Sequence, residues 1–287
     1  LTRDMAPGQG AVYDSHGRLV SPASVGCSLP EVFADVRPGE RIWLDDGMIG
    51  GIIRSVNADR IVVEITLTRP GGAKLRAEKG INLPDSRLSL SALTAKDLED
   101  LRFVVRHAHM VGMSFIQDVA DIYALQEELD RLEAPNLGVV LKIETRRGFE
   151  MLPDLLLAAM RRPAVGVMIA RGDLAVECGY ERLSEVQEEI LWLSEAAHVP
   201  VIWATQVLDS LAKSGLPSRA EITDAAMGSR AECVMLNKGP HITSAIKVLD
   251  NILQRMEEHV TKKSALLRQL RWWERSHSHC ITPPADS

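Results

Sequence analysis

Cysteine is scarce and scattered. Cys27, Cys178, Cys233 and Cys280 are the only four in 287 residues, and none has the C-x-x-C spacing of a zinc or redox motif. The expectation is reduced thiols in a cytoplasmic protein. No apolar run reaches 18 residues, which argues against a membrane-spanning helix. The start of the chain has no signal-peptide pattern. Positive charge is not in excess. The net charge of −6 argues against nonspecific nucleic-acid binding.

What is present is ordinary globular usage, 46% hydrophobic and 25% charged. The length suits one large domain or two unequal ones. Residues 1–85 read as a small antiparallel β module. Arg41–Leu44 is a short apolar run closed by the turn signal Asp45-Asp46-Gly47, and Ile52-Ile53 and Ile61–Ile65 follow. No helix is expected there.

From residue 86 to 262 the pattern alternates. Helices are expected at Ser91–His107, Val119–Leu132, Met151–Met160, Leu183–Ala197, Val207–Lys213, Glu221–Gly228 and Thr243–Leu270. Strands are expected at Met110–Ile116, Val139–Ile143, Val165–Ala170, Val199–Ala204 and Cys233–Leu236. Such alternation predicts an α/β fold with a parallel sheet. Five βα units are too few to close an eight-stranded barrel. The sheet is then open, or further strands come from sequence outside this chain, on the order of 100 residues. The first residue, Leu1, favours a processed or truncated chain. Residues 263–287 read as a helix end and a polar tail. His277, His279 and Cys280 there lack the second ligand pair of a zinc site.

Chemistry-bearing residues gather at the ends of the apolar runs. Lys142 and Glu144 are two apart on a strand and share one face. Buried parallel strands normally carry apolar residues, so this pair is either a satisfied internal ion pair or a functional one. Asp173 follows the next strand, close enough for Glu144 and Asp173 to share an ion. Two carboxylates without His or Cys suit Mg²⁺ or Mn²⁺; the plainer reading of Asp173 is a helix N-cap. The bend Ala170-Arg171-Gly172-Asp173 offers backbone N–H groups to a carboxylate or phosphate. Arg171 itself reads as a structural partner for a nearby acid. Thr205 ends the run Val199–Ala204, where its hydroxyl can relay a proton through water or simply satisfy a carbonyl.

At these residues the chain resembles the pyruvate kinase family. The resemblance is carried by Leu44-Asp45-Asp46-Gly47, Lys79–Pro84, Ser114-Phe115-Ile116, Leu141–Glu144, Met168–Leu174, Ala204–Ser210 and, most specifically, Pro217–Asp224. It implies a partial TIM-type (β/α)8 barrel, strands four to eight, with residues 1–85 as a β-rich lid. It implies phosphoryl transfer from phosphoenolpyruvate to ADP, giving pyruvate and ATP, as in glycolysis. Lys142 then resembles the lysine beside the transferring phosphoryl group. Glu144 and Asp173 resemble the ligands of Mg²⁺ or Mn²⁺, with K⁺ as a further cation. The Ala170–Asp173 backbone resembles the cradle of the substrate carboxylate. Thr205 resembles the threonine that helps deliver the enol proton, and Lys79 the lid lysine that reaches nucleotide phosphates.

Three departures accompany this resemblance. The phosphate- and K⁺-binding residues of the family's early barrel strands have no counterpart in the chain. Asn237-Lys238-Gly239-Pro240 stands where the family usually has Ser-Gly-Glu-Thr. No C-terminal regulatory domain follows, so sugar-phosphate control is not expected. Homo-oligomerisation, or association with the missing barrel half, is expected instead. The alternatives are a metal-dependent lyase or aldolase of 2-oxo acids, and a catalytically incompetent fragment or scaffold.

Overall fold

The structure, a computed structural model, describes residues 1–260. The expected tail, with His277, His279 and Cys280, lies outside the described residues, as does the end of the helix expected to reach Leu270. The chain divides into two compact units, Leu1–Ser91 and the part from Ala92 onward.

In the first unit, β1 (Val12–Tyr13) and β2 (Leu19–Ser21) form an antiparallel ribbon. Strands β3 (Arg41–Leu44), β4 (Ile49–Val56), β5 (Ile61–Leu67) and β6 (Ile81–Asn82) form a second antiparallel sheet, in the order β5-β4-β3-β6. Asp45 and Asp46 turn the chain from β3 to β4 with φ of 55° and 54°. Aspartate tolerates this left-handed region better than most residues. One short helix, α1 (Val32–Asp35), was not expected. A single turn is too short to show helical periodicity. It forms because Val32 and Phe33 bury against Ile42, Ile53 and Ile61.

The second unit alternates as the sequence predicts. In chain order it contains α2 (Ala95–His107), β7 (Met110–Met113), α3 (Val119–Arg131), β8 (Gly138–Ile143), α4 (Arg146–Glu150) and α5 (Leu152–Ala159). There follow β9 (Val165–Ala170), α6 (Arg171–Cys178), α7 (Leu183–Ala196), β10 (Val201–Val207), α8 (Asp209–Ser214), α9 (Arg219–Met227), β11 (Cys233–Leu236) and α10 (Ile242–Val260). The five strands lie side by side in sequence order, β7 to β11, and every pairing is parallel.

The two faces of this sheet differ. Val139, Leu141 and Ile143 of β8, Val167 and Ile169 of β9, and Val201 and Trp203 of β10 join one buried cluster with Leu125, Leu129, Leu155 and Ile190 from the helices. Each such side chain contributes roughly 1.5–3 kcal/mol by leaving water. Strand residues alternate in direction. Val140, Lys142, Met168 and Ile202 therefore occupy the opposite face.

Three differences from expectation have local causes. Strand β7 stops at Met113 rather than Ile116, because Phe115 adopts φ 53° and breaks the extended run. Helix α6 begins at Arg171 rather than after an Asp173 cap, because the strand passes into it with Ala170, which offers no side-chain cap, at the boundary. The expected helix Met151–Met160 has a preceding partner, α4, which is separated from α5 at Met151; Pro153 sits in the first turn of α5, where proline is well tolerated.

Candidate functional site at the carboxyl edge of the sheet

The register of the sheet puts the chemistry on one edge. Leu141 pairs with Met113, Ile143 with Ile169, and Ala170 with Ala204. Ser114, Glu144, Arg171 and Thr205 each stand one residue beyond a member of those pairs. Parallel strands present all these ends on the same side.

Lys142 and Glu144 meet as their spacing predicts. The Lys142 ammonium lies 3.1 Å from Glu144 Oε2 and donates a 2.6 Å hydrogen bond to Ser114 Oγ. Glu144 is only 2% exposed, and its Oε1 accepts from the Phe115 N–H at 3.0 Å. A buried carboxylate is costly unless it is paired and hydrogen-bonded, and here both conditions hold. The left-handed Phe115 turns its N–H toward Glu144, which gives the break in β7 a purpose. Lys142 retains 29% side-chain exposure, so part of the side chain reaches solvent at the edge.

Asp173 lies in the first turn of α6 and is half-buried. Because the helix begins at Arg171, Asp173 is not its N-cap. An acid in the first turn is favoured by the helix dipole. The Gly172 N–H donates to Thr205 Oγ1 at 2.9 Å. One amide of the Ala170–Asp173 bend is thus already engaged by the threonine.

Thr205 sits in a distorted part of β10. Trp203 pairs with Val234 but Val207 with Leu236, so β10 carries two more residues than β11 over this stretch. The excess is absorbed at Thr205 and Gln206, with φ of 65° and 58°. A β-branched residue in the left-handed region is strained, and such strain concentrates at functional sites. Arg171 is buried beneath this bulge. Its Nε donates to the Ala204 carbonyl at 2.8 Å, and a second nitrogen donates to the Thr205 carbonyl. It also pairs with Asp224 of α9 and stacks 4.7 Å from the Trp203 ring centroid. The structural partner expected for Arg171 is therefore Asp224.

Beyond β11, Asn237 donates to the Asp209 carboxylate, which also pairs with Lys213 at 2.9 Å. Burial pushes the Asp209 acid up, but the bonds from Lys213 and Asn237 outweigh it and leave the group below its ordinary range. Gly239 has a steric reason: a Cβ there would stand 2.1 Å from the Ala212 carbonyl oxygen. Lys238 is exposed.

Lys79 belongs to the first unit. Its ammonium lies 2.7 Å from Asp45, whose hydrogen bond pushes the lysine above its usual range. Ser114 and Asp224 were given no chemical role from the sequence. Their partners lie 28 and 53 residues away. The only local hint for Ser114 is a hydroxyl directly after an apolar strand.

Among the described residues, no three or more His, Cys, Asp or Glu side chains gather as a metal site. An ion held by Glu144 and Asp173 would then rest on two carboxylates, with substrate oxygens and water completing its shell. That oxygen-only donor set fits Mg²⁺ or Mn²⁺ and does not fit a structural zinc. No helix among the described residues is long and apolar enough to cross a membrane.

The second unit is an α/β domain whose parallel sheet gathers a lysine, carboxylates and a strained threonine at its carboxyl edge. Residues 13–240 match the family described as pyruvate kinase, barrel domain. The chain is 31% identical over 255 residues to pyruvate kinase of Geobacillus stearothermophilus, covering 86% of this chain and 42% of that protein. It is 32% identical over 241 residues to that of Thermotoga maritima, covering 82% and 50%. With that of Agrobacterium vitis it shares 35% over 236 residues, covering 80% and 46%. The chain belongs to the pyruvate kinase family. It spans half or less of the length of these relatives.

Proposed function

We propose that the carboxyl edge of the sheet is a phosphoryl-transfer site that acts on phosphoenolpyruvate and ADP to give pyruvate and ATP. The observation that carries this reading is Lys142, a partly exposed lysine whose ammonium is held by Ser114 Oγ and the buried Glu144 carboxylate. Phosphoryl transfer is chiefly positioning and charge neutralisation. Lys142 supplies a fixed positive charge toward the transferring group. Glu144 and Asp173 would hold Mg²⁺ or Mn²⁺, and that ion neutralises charge on the substrate oxygens when bound. The amides of the Ala170–Asp173 bend orient the substrate carboxylate, and Thr205 assists proton delivery to the enol carbon. A K⁺ requirement and a nucleotide contact through Lys79 belong to the same reading.

The sheet is read as strands four to eight of a (β/α)8 barrel. Its second face, with Val140, Lys142, Met168 and Ile202, becomes the barrel interior, and the first unit becomes the lid. This accounts for a charged side chain on a face turned away from the helices. Cytoplasmic location and a homo-oligomer, or completion by further barrel strands, follow from the same reading.

A coupled assay tests it. ATP formed from phosphoenolpyruvate and ADP in the presence of Mg²⁺ or Mn²⁺ supports the kinase. Pyruvate released from oxaloacetate without ATP formation supports a lyase on the same residues. Neither product, under conditions where the folded chain is verified, supports a catalytically incompetent member of the family.

A further inference from the structure

The distortion of β10 at Thr205 needs a restraint, because a threonine at φ 65° relaxes to extended backbone if released. We propose that the Arg171–Asp224 pair is that restraint, and that both are positioning residues for Thr205. The inference rests on the proton-delivery reading of Thr205.

Arg171 is 7% exposed, and four contacts fix its guanidinium. Trp203 lies against its face. The carbonyls of Ala204 and Thr205 accept from two of its nitrogens. Asp224 neutralises it from α9. Two successive carbonyls converging on one planar cation define the backbone direction at the bulge. A lysine offers a single charged centre and cannot reproduce that fork. The bulge in turn aims Thr205 Oγ1 at the Gly172 N–H. The hydroxyl thereby spends its acceptor side on Gly172 and keeps its proton directed away from that amide. Asp224 acts through Arg171 and touches no reacting atom.

The specific motif Pro217–Asp224 thus gains a chemical reason for its last residue. Ser218 starts α9 with a capping box to Glu221, and that fixed helix start sets where Asp224 falls on the next turn.

The test is amide hydrogen exchange of the unliganded chain, read by NMR at Gly172 and at Val167, whose N–H bonds the Pro200 carbonyl between β9 and β10. Thr205→Val removes the acceptor and calibrates the loss of Gly172 protection. Asp224→Ala is expected to speed Gly172 exchange about tenfold relative to Val167 and to move the Thr205 Cα and Cβ shifts toward extended values. Arg171→Lys is expected to do the same; if it fails to fold, Asp224→Ala decides alone. Equal changes at Gly172 and Val167, or an unchanged Gly172, would overturn the assignment and leave the pair as ordinary packing. The proton-delivery reading fails separately: it is lost if Thr205→Val leaves metal-dependent exchange of the pyruvate methyl protons with D2O untouched, a result that does not alter the Gly172 comparison.

Discussion

At the residue scale, the proposed chemistry turns on the Lys142–Glu144 ion pair. Replacing Lys142 with Met is expected to lower phosphoryl transfer at least a hundredfold, since a fixed charge aimed at a transition state contributes on that order. The circular dichroism spectrum should stay unchanged, because Lys142 lies on the face away from the helical core. Full turnover in that variant would make Lys142 structural. Cys178 provides an independent check of burial. Desolvation raises its thiol to about 11, so at pH 8 only roughly a thousandth is thiolate. Alkylation followed by peptide mapping should label the exposed Cys233 well before Cys178. Lys142 and Glu144 were legible because two residues of separation on a strand fixes a shared face. Ser114 and Asp224 were not legible, because the contacts that matter are made by chain segments brought together only by the sheet and its helices.

At the element scale, the helices were legible but their first residues less so: those expected from Ser91 and Glu221 begin at Ala95 and Arg219. Thr94 and Ser218 both cap their helices with reciprocal boxes, to Asp97 and Glu221. Ser218→Ala is expected to cost about 1 kcal/mol in urea unfolding. Gly239→Ala should cost more, because its Cβ meets backbone rather than a movable side chain. Acid sensitivity follows from the same contacts. Asp118 is held below its ordinary range first by the Arg147 hydrogen bond, and Asp97 by Thr94. A carboxyl depressed in the folded state contributes stability that is present above its unfolded pKa and lost as pH falls through the folded value. Urea midpoints should therefore be level near neutrality and decline below about pH 4. Asp118→Asn should flatten that decline. The start of helix α6 and the bulge in β10 escaped the sequence because neither has a local signature. One lacks a capping side chain, and the other depends on a register mismatch with β11.

At the scale of the whole molecule, the parallel sheet ends in two edges, β7 and β11, that have no further strand among the described residues. Open edges invite pairing. Sedimentation of the isolated chain is expected to show self-association, and a stable monomer with full kinase turnover would contradict the need for added strands. The α/β alternation was readable from hydrophobic periodicity, whereas the order of the strands was implied only by the family resemblance. Completion of the sheet was not readable, because it depends on what lies beyond β7 and β11.

Glu144 and Asp173 are expected to hold a divalent ion beside Lys142 for a phosphorylated substrate. Mn²⁺ titration followed by electron paramagnetic resonance tests it without requiring turnover. The prediction is one Mn²⁺ site per chain that tightens when phosphoenolpyruvate is added and weakens at least tenfold in Glu144→Gln. Mn²⁺ binding that is indifferent to both the substrate and the substitution would contradict it.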